Sequence, residues 1–343
     1  MSRLKRAERS NMKKHSNISR LKKICLIAIM IILILSSQGH TSTSQNLIDQ
    51  CIQIIIRGLE ENKEIIRLDS ISSIENNKIA NPALEEKIEE IFLNDNSEVV
   101  RAAAAQSLAR MKGKDAIPVL RQALKYKGRQ EYLIHISVSA ALYNLGEKDA
   151  ISYIAKYLSS EITAESREAA LTSGGLVDNQ VIPLLKARLH TKNPLLRNSL
   201  LISLAKQGDK MPETEIDVLI NSKQLDNQWT ALNLIDILKI KRFNSSLKRM
   251  LDDNNPITRI RVAKLLTVLG DEDMKNVIVE YLMSNEGKYG DISGQDVRVV
   301  AMYEGLSAVG STSDLNILKK FLTKDNRERI IAASTIIAIL GKQ

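Results

Sequence analysis

Nine times in 343 residues the chain repeats one signature: an anchor residue, then small or aliphatic residues three, four and seven positions later. The anchors are Arg67, Arg101, His135, Arg167, Arg197, Gln228, Arg259, Arg298 and Arg329, at intervals of 34, 34, 32, 30, 31, 31, 39 and 31 residues. Offset three runs from Ser70 and Ala104 to Ala301 and Ala332, and offset four from Ile71 and Ala105 through Leu171 to Ala333. Offset seven runs from Ile74 and Leu108 to Leu266 and Ile336. These offsets share one helical face, so each anchor heads a helix with a narrow, small-residue stripe to bury.

The breaks between helices follow the same period. Pro82, Pro118, Pro183 and Pro212 stand near the start of a second apolar segment, and Pro194 and Pro256 stand three residues before an anchor. Proline is tolerated in the first helical turn because its missing N–H has no partner there and its φ is already set. Gly113, Gly146, Gly208, Gly270 and Gly310 fall where the first helices should end, as C-terminal caps. No segment sustains strand alternation, so the chain is predicted to be all-α. Two short helices cannot bury their apolar faces alone, so each pair must stack on its neighbours. The expected architecture is an α-solenoid of about nine helix pairs over residues 55–343, after a linker and helix start at 40–54.

Segments such as VVRAAAAQSLARMKGKDAIPVL (99–120), SREAALTSGGLVDNQVIPLLKARL (166–189) and ITRIRVAKLLTVLG (257–270) resemble HEAT-like repeats, especially the short type named after phycobilisome lyases. That resemblance implies an α-solenoid whose concave surface grips a partner. It departs from the pattern at His135, at Gln228 and at the 39-residue interval. Enzymatic members of the wider repeat family hold two irons with paired His-Glu motifs. Here His40, His135 and His190 precede Thr41, Ile136 and Thr191, so that motif is absent. Bilin attachment, the activity behind the subfamily name, fits poorly with an exported chain. No Gly-rich phosphate loop, GxSxG elbow or Cys-His nucleophile pair is present either. The expectation is a non-enzymatic protein without cofactor or metal; the alternative is a repeat-family enzyme with a site of another kind.

The net charge of +9 points to an anionic partner until it is located. Residues 1–39 carry nine Lys or Arg against Glu8 alone, which leaves the body near neutrality. A neutral body has no field to attract polyanions, so nucleic acid is not expected as a partner. The basic segment is followed by ICLIAIMIILIL (Ile24–Leu35) and then by small residues including Ser37 and Gly39. Twelve apolar residues rise about 18 Å as a helix, short of the roughly 30 Å of a hydrocarbon layer. Residues 1–39 therefore read as a secretory signal cleaved before His40, or as an uncleaved anchor. Membrane contact is expected only through 24–35, if they are retained. Both readings export the body across the cytoplasmic membrane to the periplasm or cell envelope; a cytoplasmic, membrane-tethered adaptor is the alternative.

The remaining candidates belong to packing or binding. The anchors Arg67, Arg101, Arg167, Arg197, Arg259, Arg298 and Arg329 are expected to form a structural ladder. Asp95, Glu161 and Asp253, six residues before three of them, could pair with those arginines or with neighbouring units. Three features are candidates for gripping a protein partner. Trp229 is the only tryptophan and follows the deviant anchor Gln228. Tyr289 lies in the Gly-rich insertion MSNEGKYGDISGQD (283–296) that lengthens one interval. The last unit, RERIIAASTIIAILGKQ, lacks a second helix and a polar cap. Ile331 and Ile337 are expected to stay partly exposed there and dock another copy or a partner.

Overall fold

The computed structural model describes residues 44–284, 293–324 and 326–342. It divides into two units, Met1–Gln50 and Cys51–Gln343. Of the first unit only residues 44–50 are described, and they are helical. The leader and its apolar run, including 24–35, and Tyr289 lie outside the described residues.

The second unit opens with α1 (51–59). The anchors then head the helices α2 (Glu64–Asn76), α4 (Glu98–Lys112), α6 (Glu131–Asn144), α8 (Thr163–Ser173) and α10 (Pro194–Lys206). They continue as α12 (Leu225–Leu238), α14 (Pro256–Val268), α16 (Gly294–Val300) and α19 (Asn326–Leu340). Shorter second helices alternate with them: α3 (Pro82–Asn94), α5 (Ile117–Ala123), α7 (Ile151–Leu158) and α9 (Ile182–Ala187). These are followed by α11 (Ile216–Ile220), α13 (Asn244–Arg249), α15 (Lys275–Met283) and α18 (Leu315–Lys319). A π-helical turn, Ala301–Leu306, joins α16 to the short α17 (Ser307–Val309). No strand occurs among the described residues.

Local chemistry sets the helix ends. Asn81, Asn193 and Asn255 accept the backbone N–H of Ala83, Leu196 and Ile257 at 2.9–3.0 Å, each with proline as the next residue. Such a cap contributes about 1 kcal/mol by satisfying an orphan donor. All six prolines occupy the first or second position of a helix. Gly146, Gly208 and Gly270 adopt φ of 103°, 80° and 114°. The residue after each donates to a carbonyl five back, as in Glu147 to Leu142 at 3.0 Å. That bond closes the helix end only when the capping residue is left-handed. Gly310 differs, with φ −68°; a Cβ there would strike the carbonyl of Leu306 and the side chain of Ile339.

The stripe of small residues lets the first helices lie side by side. Ala104, Ala105, Ala170, Ala231, Ala263, Ala301, Ala332 and Ala333 are all fully buried. Successive first helices pack directly on one another, and the second helices pack beside them, α7 and α15 against first helices on both sides. The aliphatic core is continuous: Leu200 joins the cluster from α6 to α10, and Leu201 the cluster from α10 to α14.

The circuit of first helices closes. α19 packs against α2 as well as against α16 and α17. α1 supplies what the ninth unit lacks, a second helix between α19 and α2. At Gly58 on α1, a Cβ would collide with Ser70 of α2 and with Ile330 of α19. This overturns the expectation of apolar surface left open at the C-terminal end. Ile330, Ile331, Ile336 and Ile339 are at most 2% exposed and Ile337 is half-buried. The first and last helices of the repeat array cap each other, so no polar terminal repeat is needed. Replacing Ala105 with Leu should cost about 1–3 kcal/mol, because the helices cannot separate without straining the closed circuit. Urea unfolding of the two proteins measures it.

Candidate interaction surface

The anchors do not form one uniform ladder. Arg67 donates to Asp95 at 2.7 and 3.0 Å and to the carbonyls of Glu61 and Asn62. Asp95 therefore serves the anchor of the preceding unit, not Arg101. Arg101 lies 4.3 Å over the Tyr126 ring and donates to the carbonyl of Phe92. Arg197 pairs with Glu215 at 3.0 Å, and Arg298 pairs with Glu328. Glu161 reaches Arg188 rather than Arg167, at 3.7 Å, and Asp253 accepts from the backbone of Asn255. Arg167 and Arg259 each keep a buried Nε without a hydrogen-bond partner, Arg259 lying 5.5 Å over Tyr281. Arg329 lies in the first turn of α19. The anchors thus take different partners, Arg67 and Arg298 from the following unit and Arg101 from the last turn of α3, before its own helix.

The deviant anchors are held from within. Gln228 donates to the carbonyl of Ser222 at 2.9 Å. His135 is buried, with Nε2 3.0 Å from the carbonyl of Tyr126 and Nδ1 2.8 Å from the Tyr157 hydroxyl. The carbonyl can only accept, so Nε2 carries the proton and Nδ1 accepts from Tyr157. Trp229 is partly buried, donates to Thr258 at 3.0 Å and lies 4.2 Å beneath Arg261, which grips Glu304 at 2.6 and 2.7 Å. That arrangement ties three units together and leaves the indole edge no free donor.

A different surface gathers polar side chains around a concavity. A depression of about 540 Å³ crosses the C-terminal halves of α2, α4, α6 and α8 and the end of α10. Its wall includes Glu75, Lys78, Gln106, Arg110, Asn144, Leu171 and Lys206. Burial alone would raise the Glu75 carboxyl, but hydrogen bonds from Lys78 and Arg110 outweigh it and hold the group below the ordinary carboxylate value. Lys206 is exposed and makes no ion pair. Lys78 has φ 51°, the left-handed cap that glycine supplies in other units.

Leu171 marks where the repeat pattern fails. Offset four is buried in the other eight units, yet Leu171 is 38% exposed and lines the depression. The cause is a tight crossing between α8 and α10. Ser203 donates to the carbonyl of Ala170 at 2.5 Å, and Gln207 donates to the carbonyls of Ser173 and Leu176 at 2.9 and 3.0 Å. These bonds hold Ala169, Ala170 and Ser173 in the interface and leave Leu171 outside it. The periodicity could not reveal this, because it treats every unit as superimposable.

Residues 52–132 and 85–173 each match the family model for HEAT repeats. Residues 52–173 thus match HEAT repeats. No curated protein matches the sequence. Among solved structures, the chain is similar to Escherichia coli YibA at 16% identity, covering 75% of this chain and 96% of that one, with a TM-score of 0.38. Human deoxyhypusine hydroxylase is similar at 14% identity, over 80% of this chain and 99% of that one, with a TM-score of 0.37. An engineered protein is similar at 15% identity, over 87% and 94%, with a TM-score of 0.31. At such TM-scores none of these likenesses bears on this chain's shape or activity. Among the described residues, no three His, Cys, Asp or Glu side chains converge to hold a metal ion. No helix among them is long and apolar enough to cross a membrane.

Two outcomes follow for the HEAT units themselves. Lys78→Gly should raise the unfolding free energy by up to about 1 kcal/mol, since a Cβ in the left-handed region is strained. A urea midpoint unchanged or lowered contradicts that. Burial pushes the His135 imidazole below its ordinary value of 6.5, so the folded state favours the neutral ring. The stability it contributes is complete above 6.5 and is lost as pH falls through the lowered value. The wild type should therefore lose more stability than His135→Gln between pH 7.5 and pH 5, compared by urea titration.

Proposed function

We propose that the protein is a non-catalytic HEAT-repeat scaffold, located beyond the cytoplasmic membrane, that holds a segment of a protein partner in the depression across α2 to α10. Leu171 carries the reading: a leucine that eight sister positions bury stands instead in a concave, polar-rimmed surface. An apolar side chain of a partner would cover it, and about 1.5–3 kcal/mol accompanies burial of a residue of that size. Lys206 supplies an unpaired cation on the same wall, suited to an acidic residue beside the apolar one. The location rests on the order of residues 1–39, a basic segment before a short apolar run and small residues. No cofactor, metal or nucleic acid enters this reading.

Affinity capture from cell-envelope extracts tests it, with wild type and the double variant Leu171→Glu, Lys206→Glu compared by quantitative mass spectrometry. A protein recovered with wild type should drop at least about tenfold with the variant. Identical recoveries from the two baits would reject the depression as the binding surface.

A further inference from the structure

Every joint between first helices is made by neighbours in the sequence except one. Where α19 meets α2, Arg327 donates to Asp69 at 2.8 Å while its other arm donates to Asp296 at 2.8 Å. Asn77 donates to Ser334 at 2.9 Å, and Asn76 donates to the hydroxyl of Tyr303 on the π-helical turn. These partners stand 227 to 258 positions apart. Breaking any other joint would separate residues that the chain still holds close, and the circuit would stay closed elsewhere. Breaking this one releases both ends and leaves the other first-helix contacts in place, with loop-closure entropy on its side.

At this joint a guanidinium is shared by two carboxylates. Burial raises the Asp69 carboxyl above its ordinary value despite Arg327, so this carboxylate is poorly solvated and leans on one partner. A π-turn beside the joint is a frequent mark of a functional element. α1 completes the joint, its Gly58 wedged between Ser70 and Ile330.

We propose that α1, α2 and α19 form a clasp that opens as one local event, converting the closed circuit of helices into an open arc without unfolding the other repeats. The inference stands apart from the partner reading above, since it concerns only the joint.

Cys51 on α1 reports on it. The residue is 0% exposed, so a thiol reagent reaches it only when α1 lifts. The experiment follows N-ethylmaleimide labelling of the full-length chain in a Cys25→Ser background, where Cys51 is the one remaining thiol. Arg327→Ala should speed labelling about tenfold, the loss of roughly one charge-assisted hydrogen bond. Arg327→Lys, which keeps the charge but not the fork, should speed it about threefold and serves if the alanine variant does not fold. Leu201→Ala, a core truncation in α10 far along the chain, lowers global stability and should leave the labelling rate unchanged. If Leu201→Ala accelerates labelling as much as the Arg327 variants, Cys51 is reached by global unfolding and the clasp is refuted. Unchanged rates in the Arg327 variants refute it equally.

Discussion

Close approach of the anchor-headed helices governs everything else in the second unit. Alanine and serine at the contact positions bring the backbones near enough for side chains of one helix to bond carbonyls of the next. Ser203 to Ala170, Gln207 to Ser173 and Gln106 to Ser137 are examples. Such bonds need the short distance, which Ser203 spans with a hydroxyl and the glutamines with an amide. A larger residue at these positions would remove the bond and the contact together, so the alanines contribute through what they leave out.

Side-by-side packing has to end somewhere, and an open end of a repeat stack exposes an apolar groove. Many stacks cover it with a polar terminal repeat. This chain meets the requirement by meeting itself: α1 takes the second-helix position of the ninth unit, and α19 lies against α2. The isoleucines of α19 are then interior residues, which explains why that helix is apolar on more than one face. The first and last helices of the repeat array are committed to a single joint, with polar groups drawn from α2, α16, the π-helical turn and α19.

The depression across α2 to α10 arises from small irregularities in the same packing. α8 crosses α10 through Ala169, Ala170 and Ser173, and Leu171 lies outside that contact. α2, like α12, ends on a left-handed lysine where four sisters use glycine, and Lys78 lines the same wall. Each irregularity has a local cost or cause, and the two converge on one surface. Trp229, the conspicuous residue of the sequence, is instead spent on holding α12 to α14.

Helix positions, caps and the buried stripe were legible from the chain alone, since 3.6-residue periodicity, Asn-Pro starts and Gly ends are set by bonds within a few residues. The repeat class followed from the interval for the same reason. Three things were decided only in three dimensions. The joining of the ends depends on the accumulated angle of eight successive crossings, a sum that no single unit encodes. The partners of the arginines depend on which turn lies beside each one, so Asp95 serves Arg67 and Glu161 serves Arg188. The exposure of Leu171 depends on how α8 crosses α10. Local sequence sets each helix and its face; long-range geometry sets which faces remain for a partner, because only the closed circuit determines what each face touches.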